Sequence, residues 1–280
     1  MTVAQAIREA CERLSAVSDT ARLDAEVLMA HALNCDRSEM LLRETGRSAP
    51  TSFFALVERR ANREPIAYIT GFQEFYGRSF VVTQDTLIPR PDSETLVEAA
   101  LEAMDQSALP VRTVLDLGTG SGALLLSVLA ERPDCRGFGL DNSAAALAVA
   151  RTNALRFKLE DRVSFGEGSW HEENTSWGFD WPEEFDLILA NPPYVESGAK
   201  LDPQVMDFEP HAALFAGPEG LDAYRAIAPH LGLYLAKGGK AIFEIGAIQA
   251  RSVTEIAEKA GFAAELRRDL ANRPRVLILS

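Results

Sequence analysis

The tetrapeptide Asn191-Pro192-Pro193-Tyr194 carries the residue types needed to hold and aim a flat, poorly nucleophilic NH₂ group. It follows the apolar run Phe185 to Ala190, read as a buried strand, so it stands in the crevice at a strand's carboxyl end. An Asn before Pro is pushed into an extended conformation, and two successive prolines fix φ and stiffen the turn. The Asn191 side-chain oxygen and the Pro192 carbonyl then form two acceptors at fixed spacing. A carboxamide or an exocyclic amine offers two N–H donors to match them. The lone pair of such a nitrogen is delocalised, so it attacks weakly unless both hydrogens are held and the lone pair is aimed. Tyr194 could supply the face on which the planar group stacks. Taken alone, the turn could equally be a rigid strand exit without chemistry.

A second motif changes that balance. Val111 to Leu117 reads as a strand, and Asp116-Leu117-Gly118-Thr119-Gly120-Ser121-Gly122 turns out of it into an apolar helix, Ala123 to Ala130. The glycines permit a tight turn and close approach of a ligand to backbone. Their G-x-G-x-G spacing differs from the G-x-G-x-x-G of dinucleotide binders. An acidic residue two positions before the first glycine suits a ligand with an ammonium group better than a pyrophosphate. Asp141 follows a second strand, Gly137 to Leu140, where a carboxylate could accept both hydroxyls of a ribose. Strand, glycine turn, helix, strand and Asp in this order point to S-adenosylmethionine (AdoMet).

These residues resemble the class I AdoMet-dependent methyltransferases. Gly71-Phe72-Gln73-Glu74-Phe75-Tyr76-Gly77, the run Leu87-Ile88-Pro89-Arg90-Pro91-Asp92-Ser93-Glu94, and Asp207-Phe208-Glu209-Pro210 are similar to segments of the HemK/PrmC family of release-factor glutamine methyltransferases. The resemblance covers nearly the whole chain. It implies that Asp116, Gly118, Thr119, Gly120, Ser121, Gly122, Asp141 and Trp170, with Asn191 beside them, bind AdoMet. It implies further that Asn191, Pro192, Pro193 and Tyr194 hold the glutamine of the Gly-Gly-Gln loop of class 1 peptide chain release factors, with Asn191, Pro192 and Tyr194 as the catalytic set. A ribosomal-protein glutamine methyltransferase is a near alternative, although Pro89 to Glu94 fits the release-factor branch better. An adenine-N6 nucleic-acid methyltransferase could use the same turn on a flipped base. A non-catalytic AdoMet-binding module would be expected to lack Asn191 or the glycines. The acidic, Trp-rich stretch His171 to Glu184 looks longer than the family's connection there.

The expected fold is α/β: a class I methyltransferase, Rossmann-like, with a mostly parallel sheet and an antiparallel C-terminal hairpin, preceded by a small helical bundle. Residues 2–16, 20–33, 37–44 and 51–63 carry apolar positions three or four apart, which gives a bundle over 1–64, assigned to substrate recognition. Residues 65–90 alternate around Gly71 and Gly77 and are read as a linking β-hairpin. From Asp92 onward helices alternate with strands at 112–116, 136–141, 161–165, 184–190 and 239–245, a methyltransferase domain over 91–280. Ala263 to Arg268 and Arg275 to Leu279 lack an intervening helix and should form an antiparallel pair at the sheet edge.

Charge and composition bound the partners. The chain has 280 residues and net charge −13. Residues 1–64 hold 9 basic and 10 acidic residues, against 19 and 31 in 65–280, so the acidity lies on the catalytic part. No basic stripe is available for a phosphate backbone, which argues against stable nucleic-acid binding. No apolar run approaches the ~20 residues that cross a bilayer, and no membrane partner is expected. Cys11, Cys35 and Cys135 are few and scattered, as reduced thiols in a cytoplasm would be. The four histidines (His31, His171, His211, His230) have no metal-ligand spacing, so no metal is expected. A monomer is expected.

Several residues keep two readings. Trp170 could cover an adenine ring or fill core. Asp116 could hold a ligand ammonium or be satisfied by turn amides. Arg90 could bond substrate backbone or pair with Asp92. Phe75 and Tyr76 could meet a ligand or pack against the helical bundle, and packing is the expectation. Glu244 could face the crevice and is given no role.

Overall fold

In the computed structural model, which describes residues 1–170 and 181–280, the chain divides into two compact units. Most of the His171 to Glu184 stretch, His171 included, lies outside the described residues. The first unit comprises Met1–Phe72 together with Leu201–Phe208. Helix α1 (Val3–Leu14) opens on a capping box in which Thr2 and Gln5 satisfy each other's backbone N–H. It buries Val3, Ala6, Ile7, Ala10 and Leu14, a stripe at helical spacing. Helix α2 (Ala21–Leu33) ends where Asn34 turns left-handed at φ 53°. A single turn, α3 (Arg37–Glu39), runs into a π-turn over Met40–Glu44. Helix α4 (Thr51–Ala61) and the short α5 (Ile66–Thr70) complete the bundle around Leu28, Met29 and Phe53.

Helix α5 departs from the expected alternation over 65–90. Pro65 cannot sit in a helix interior but readily precedes one, and Gly71 adopts φ 78°, so the apolar run Ile66 to Ile69 is framed as one helical turn. The hairpin is shorter than the segment assigned to it, β1 (Phe72–Phe75) and β2 (Arg78–Val81).

The second unit, Gln73–Lys200 with Glu209–Ser280, is a seven-stranded sheet flanked by helices. Its elements are α6 (Glu94–Asp105), β3 (Thr113–Leu117), α7 (Ala123–Glu131), β4 (Arg136–Asp141), α8 (Ala144–Phe157), β5 (Val163–Glu167) and β6 (Phe185–Ala190). The chain then passes through α9 (Pro203–Met206), part of the first unit, before α10 (Asp222–Ile227), α11 (Leu231–Tyr234), β7 (Leu235–Glu244), α12 (Ala250–Lys259), β8 (Ala264–Arg268) and β9 (Pro274–Leu279). The strand order is β5-β4-β3-β6-β7-β9-β8. Strands β3 to β7 run parallel, and β9 is antiparallel to both neighbours. Of the expected C-terminal pair, β8 forms the edge and β9 is inserted between it and β7.

Strands covered on both faces read as continuous apolar runs, and the four residues from Leu187 to Ala190 are all at most 2% exposed. After β3 the chain winds outward to β4 and β5, then returns to place β6 on the other flank of β3. This reversal makes the carboxyl ends of β3 and β6 the crevice of the sheet. Among the described residues no helix is long and apolar enough to cross a membrane, and no group of three or more His, Cys, Asp or Glu is placed to hold a metal ion.

The bundle carries one buried charge pair. Arg60 Nε donates to Asp24 Oδ2 at 2.7 Å, with both side chains under 9% exposed, and Thr20 donates to the second Asp24 oxygen. Arg60 also reaches the Glu64 carbonyl and Gln204. Removing one member strands the other charge in the interior. Arg60→Met should therefore destabilise the bundle by about 3–5 kcal/mol. Hydrogen exchange on the full-length protein checks this, because α2 and α4 should lose protection. Unchanged protection there would show that the pair contributes nothing.

Candidate active site

The turn after β3 folds as its glycines require. Gly118 and Gly120 adopt φ 75° and 55°, a region that side-chain-bearing residues enter only with strain. A Cβ on Gly118 would stand 3.3 Å from the Trp170 ring, so the indole lies directly against the turn backbone. The amides of Gly118 and Thr119 both donate to the Leu140 carbonyl, at 2.8 and 2.9 Å, which ties the turn to the end of β4. The Gly120 amide donates to Asp141 Oδ2 at 2.8 Å, and the Ser143 amide to Oδ1 at 2.9 Å. Burial raises the Asp141 carboxyl above its ordinary range, while these amides oppose the shift. Each carboxylate oxygen keeps lone-pair capacity beyond its one amide bond.

Asp116 lies within β3 and is 0% exposed. Its Oδ2 accepts the Thr119 hydroxyl at 2.7 Å, and Oδ1 has no hydrogen-bond partner among the described residues. Burial, reinforced by the nearby Asp141 charge, pushes this carboxyl up to about 7. An orphaned buried carboxylate oxygen behind a glycine turn is what a cationic ligand group would satisfy.

At the end of β6, Asn191 Nδ2 donates to Ser93 Oγ at 3.4 Å. That contact commits the nitrogen end of the carboxamide and leaves Oδ1 as an acceptor. Pro192 is buried, and the Tyr194 ring packs against the core cluster that contains Phe243 and Tyr224. Burial pushes the Tyr194 phenol up to about 12, with the Glu244 charge adding to the effect. The turn is held from outside by Gln249, whose Nε2 donates to the Tyr194 carbonyl at 3.0 Å.

One cavity of about 400 Å³ joins these elements. Gly118 to Ser121, Asp141 and Trp170 line one part of it, Asn191 and Pro193 another. Asp116, Gly122, Pro192 and Tyr194 do not line it. Its size lies within the range of small-molecule sites. Phe75 also lines it and packs edge-on against Phe80, centroids 6.1 Å apart. Phe75 and Tyr76 thus pack into the core of the catalytic unit, not the bundle, because β2 packs on α8 and the Tyr76 amide donates to Glu94 of α6.

The segment before α6 closes the cavity. Arg90 forms an ion pair with Glu209, whose side chain is 1% exposed and also accepts the Ile88 amide. Of the two readings for Arg90, the pairing with Asp92 is not formed. Arg90 is extended (φ −103°, ψ 142°) whereas Asp92 sits in a 3-10 turn, and Asp92 pairs with Arg275 of β9 at 2.8 Å instead. Ser93, Glu209 and Arg275 had no role assigned from sequence. Ser93 and Glu209 lie inside the quoted segments, so proximity to a motif was the available signal. Arg275 and Glu244 are brought in only by strand pairing.

Comparison with known proteins follows the same lines. A family model described as the PrmC N-terminal domain matches residues 5–71, and one described as a methyltransferase domain matches residues 111–223. The release factor glutamine methyltransferase of Cereibacter sphaeroides is 43% identical, covering 99% of this chain and 98% of its own. That of Caulobacter vibrioides is 37% identical, covering 99% and 96%. Among solved structures, a methyltransferase from Pyrococcus furiosus shares the fold with a TM-score of 0.52 at 16% identity, over 79% of this chain and 95% of its own. The chain therefore belongs to the release factor glutamine methyltransferase family, and AdoMet is its methyl donor.

Proposed function

We propose that this protein methylates the side-chain nitrogen of the glutamine in the Gly-Gly-Gln loop of class 1 peptide chain release factors. The observation that carries the reading is the opening of the glycine turn of β3 and the Asn191 turn of β6 into one cavity. Gly118 to Ser121 present backbone to the cofactor, Asp141 accepts the ribose hydroxyls, and Trp170 covers the adenine. Asp116, with its unpaired Oδ1, supplies negative charge toward the methionine ammonium. AdoMet, when bound, supplies an activated methyl group.

The chain's own contribution is positioning. Asn191 Oδ1 and the Pro192 carbonyl each take one hydrogen of the substrate amide, which draws the lone pair out of conjugation and aims it. The Asn191–Ser93 contact keeps the carboxamide turned the required way. No covalent intermediate and no dedicated general base are needed, since the amide's extra proton can leave to water after transfer. The helical bundle serves substrate recognition, the enzyme acts as a monomer, and a partner in translation places it in the cytoplasm. Its acidic catalytic part disfavours nucleic acid as substrate.

Two outcomes test the assignment. Gly120→Val forces a β-branched residue to φ 55° and disturbs the amide bond to Asp141, a strain of about 1–3 kcal/mol before any steric loss. AdoMet affinity by calorimetry should fall at least tenfold while the fold persists, and unchanged affinity would place the cofactor elsewhere. Asn191→Ala removes the acceptor, so single-turnover methyl transfer should fall on the order of 10²-fold with little change in AdoMet binding. Labelled AdoMet offered with a release factor, a ribosomal protein and DNA should mark the release factor alone. Methylation of adenine, or normal transfer by Asn191→Ala, would overturn the reading.

A further inference from the structure

The walls of the cavity give a bound peptide few groups to bond to. Three of the residues that share it with Asn191 are prolines, Pro89, Pro193 and Pro210, which carry no backbone N–H. The amides of Ser93 and Ala213, which also line it, already donate to the Arg90 and Pro210 carbonyls at 3.0 and 2.9 Å. Arg90 is the one cationic residue lining the cavity among the described residues, and the other charged ones are Asp85, Asp141 and Asp222. Pro91 restricts Arg90 to extended backbone, and φ −103°, ψ 142° is the conformation found. Its Nη2 donates to one oxygen of Glu209, whose other oxygen accepts the Ile88 amide at 3.3 Å. Glu209 is the one hydrogen-bond partner of the Arg90 side chain among the described residues, so Nε and Nη1 keep donors to offer. The Arg90 side chain is 38% exposed, whereas the Glu209 side chain behind it is 1% exposed.

We propose that Arg90 is a substrate-binding residue, held in place by Glu209, whose remaining N–H groups take main-chain carbonyls of the substrate beside the glutamine. The inference rests on the reading of the substrate as a Gly-Gly-Gln loop. Two glycines present no side chain to recognise, so binding beside the glutamine has to engage main chain. A carbonyl carried out of water into the cavity needs a donor in exchange. The prolines have no N–H to give and the Ser93 and Ala213 amides are engaged, which leaves the guanidinium. Its planar fork can serve more than one acceptor in a fixed orientation. Glu209 contributes twice. It orients the fork through Nη2, and its charge offsets that of Arg90, so the pair brings no net positive charge toward a sulfonium cofactor.

The test is single-turnover methyl transfer by the full-length protein at saturating AdoMet, with the concentration of release factor varied. Arg90→Met removes the donors, and the release-factor concentration that gives half the maximal rate should rise about tenfold. The maximal rate should fall by less than about threefold, and AdoMet affinity by calorimetry should stay within about twofold, because the glycine turn is untouched. Arg90→Met also leaves Glu209 buried without its cation, which endangers the fold. Arg90→Met combined with Glu209→Gln removes both charges and keeps an acceptor for the Ile88 amide. The double variant should fold and still show the tenfold rise. Half-saturation at the wild-type concentration in the double variant would mean that Arg90 only neutralises Glu209, and would overturn the inference alone. A loss confined to the maximal rate would do the same. Should neither variant fold, Arg90→Lys decides, since it keeps a cation opposite Glu209 but gives up the fork. It should raise the same concentration about threefold, and a wild-type value there would sink the inference. A wild type that methylates no release factor would overturn the functional reading and this inference together.

Discussion

The site depends on the register of four parallel strands. Leu117 of β3 pairs with Leu140 of β4 and with Ala190 of β6, and Ala190 pairs with Phe243 of β7. One step beyond those pairs stand Gly118, Asp141, Asn191 and Glu244, all at one level of the sheet. Side chains alternate faces along a strand, so a slip of one residue in any of the four would turn its functional group to the opposite layer. Burial of Leu187 to Ala190 on both faces makes such a slip expensive. The hydrophobic interior of the sheet thus sets the relative placement of the polar residues at its rim, and the chemistry inherits its geometry from packing.

Buried carboxylates show how differently one fold treats the same group. Asp24 is neutralised by Arg60 and serves the bundle's integrity. Asp141 is met by two backbone amides at the mouth of the cavity, so part of its desolvation is offset locally. Asp116 and Glu244 are each left with one oxygen unpartnered among the described residues, and burial lifts both to about 7. A group with a raised folded-state pKa holds its proton more readily when folded, so its ionisation lowers stability as pH climbs from its ordinary range through about 7. Both belong to the catalytic unit, not to the bundle. That is where an uncompensated charge can be matched by a ligand or a reacting group.

Much of this was legible in the chain. The Asn191 and Gly118 turns each follow an apolar run and carry residues with strong backbone preferences, so their local conformation is written in a few adjacent residues. The parallel core strands were readable because burial on both faces leaves no alternation to confuse with a helix. Helix α5 was missed because Ile66 to Ile69 is too short for periodicity to separate a turn of helix from a strand, and its two ends, Pro65 and Gly71, decided the matter. Arg90, Ser93, Glu209, Glu244 and Arg275 belong to a different category. Their partners lie far away in sequence, and the pairing of Arg90 with Glu209 instead of nearby Asp92 depends on backbone angles set by the prolines around it. Sequence marks such residues as charged or hydroxylic. The sheet decides what they touch.

On the proposed role of Asn191 as the acceptor for the substrate amide, its acidic surroundings favour a carboxamide over a carboxylate at position 191. An aspartate there would keep an acceptor oxygen, but it would face Ser93 close to two further acidic groups, Glu244 and Asp92. Like charges at close range in a desolvated setting push one of the group to bind a proton. A protonated acid at 191 would then offer an O–H where the substrate amide needs an acceptor. The neutral carboxamide avoids this, because its polarity is set by the hydrogen bond it makes and not by a proton it could gain.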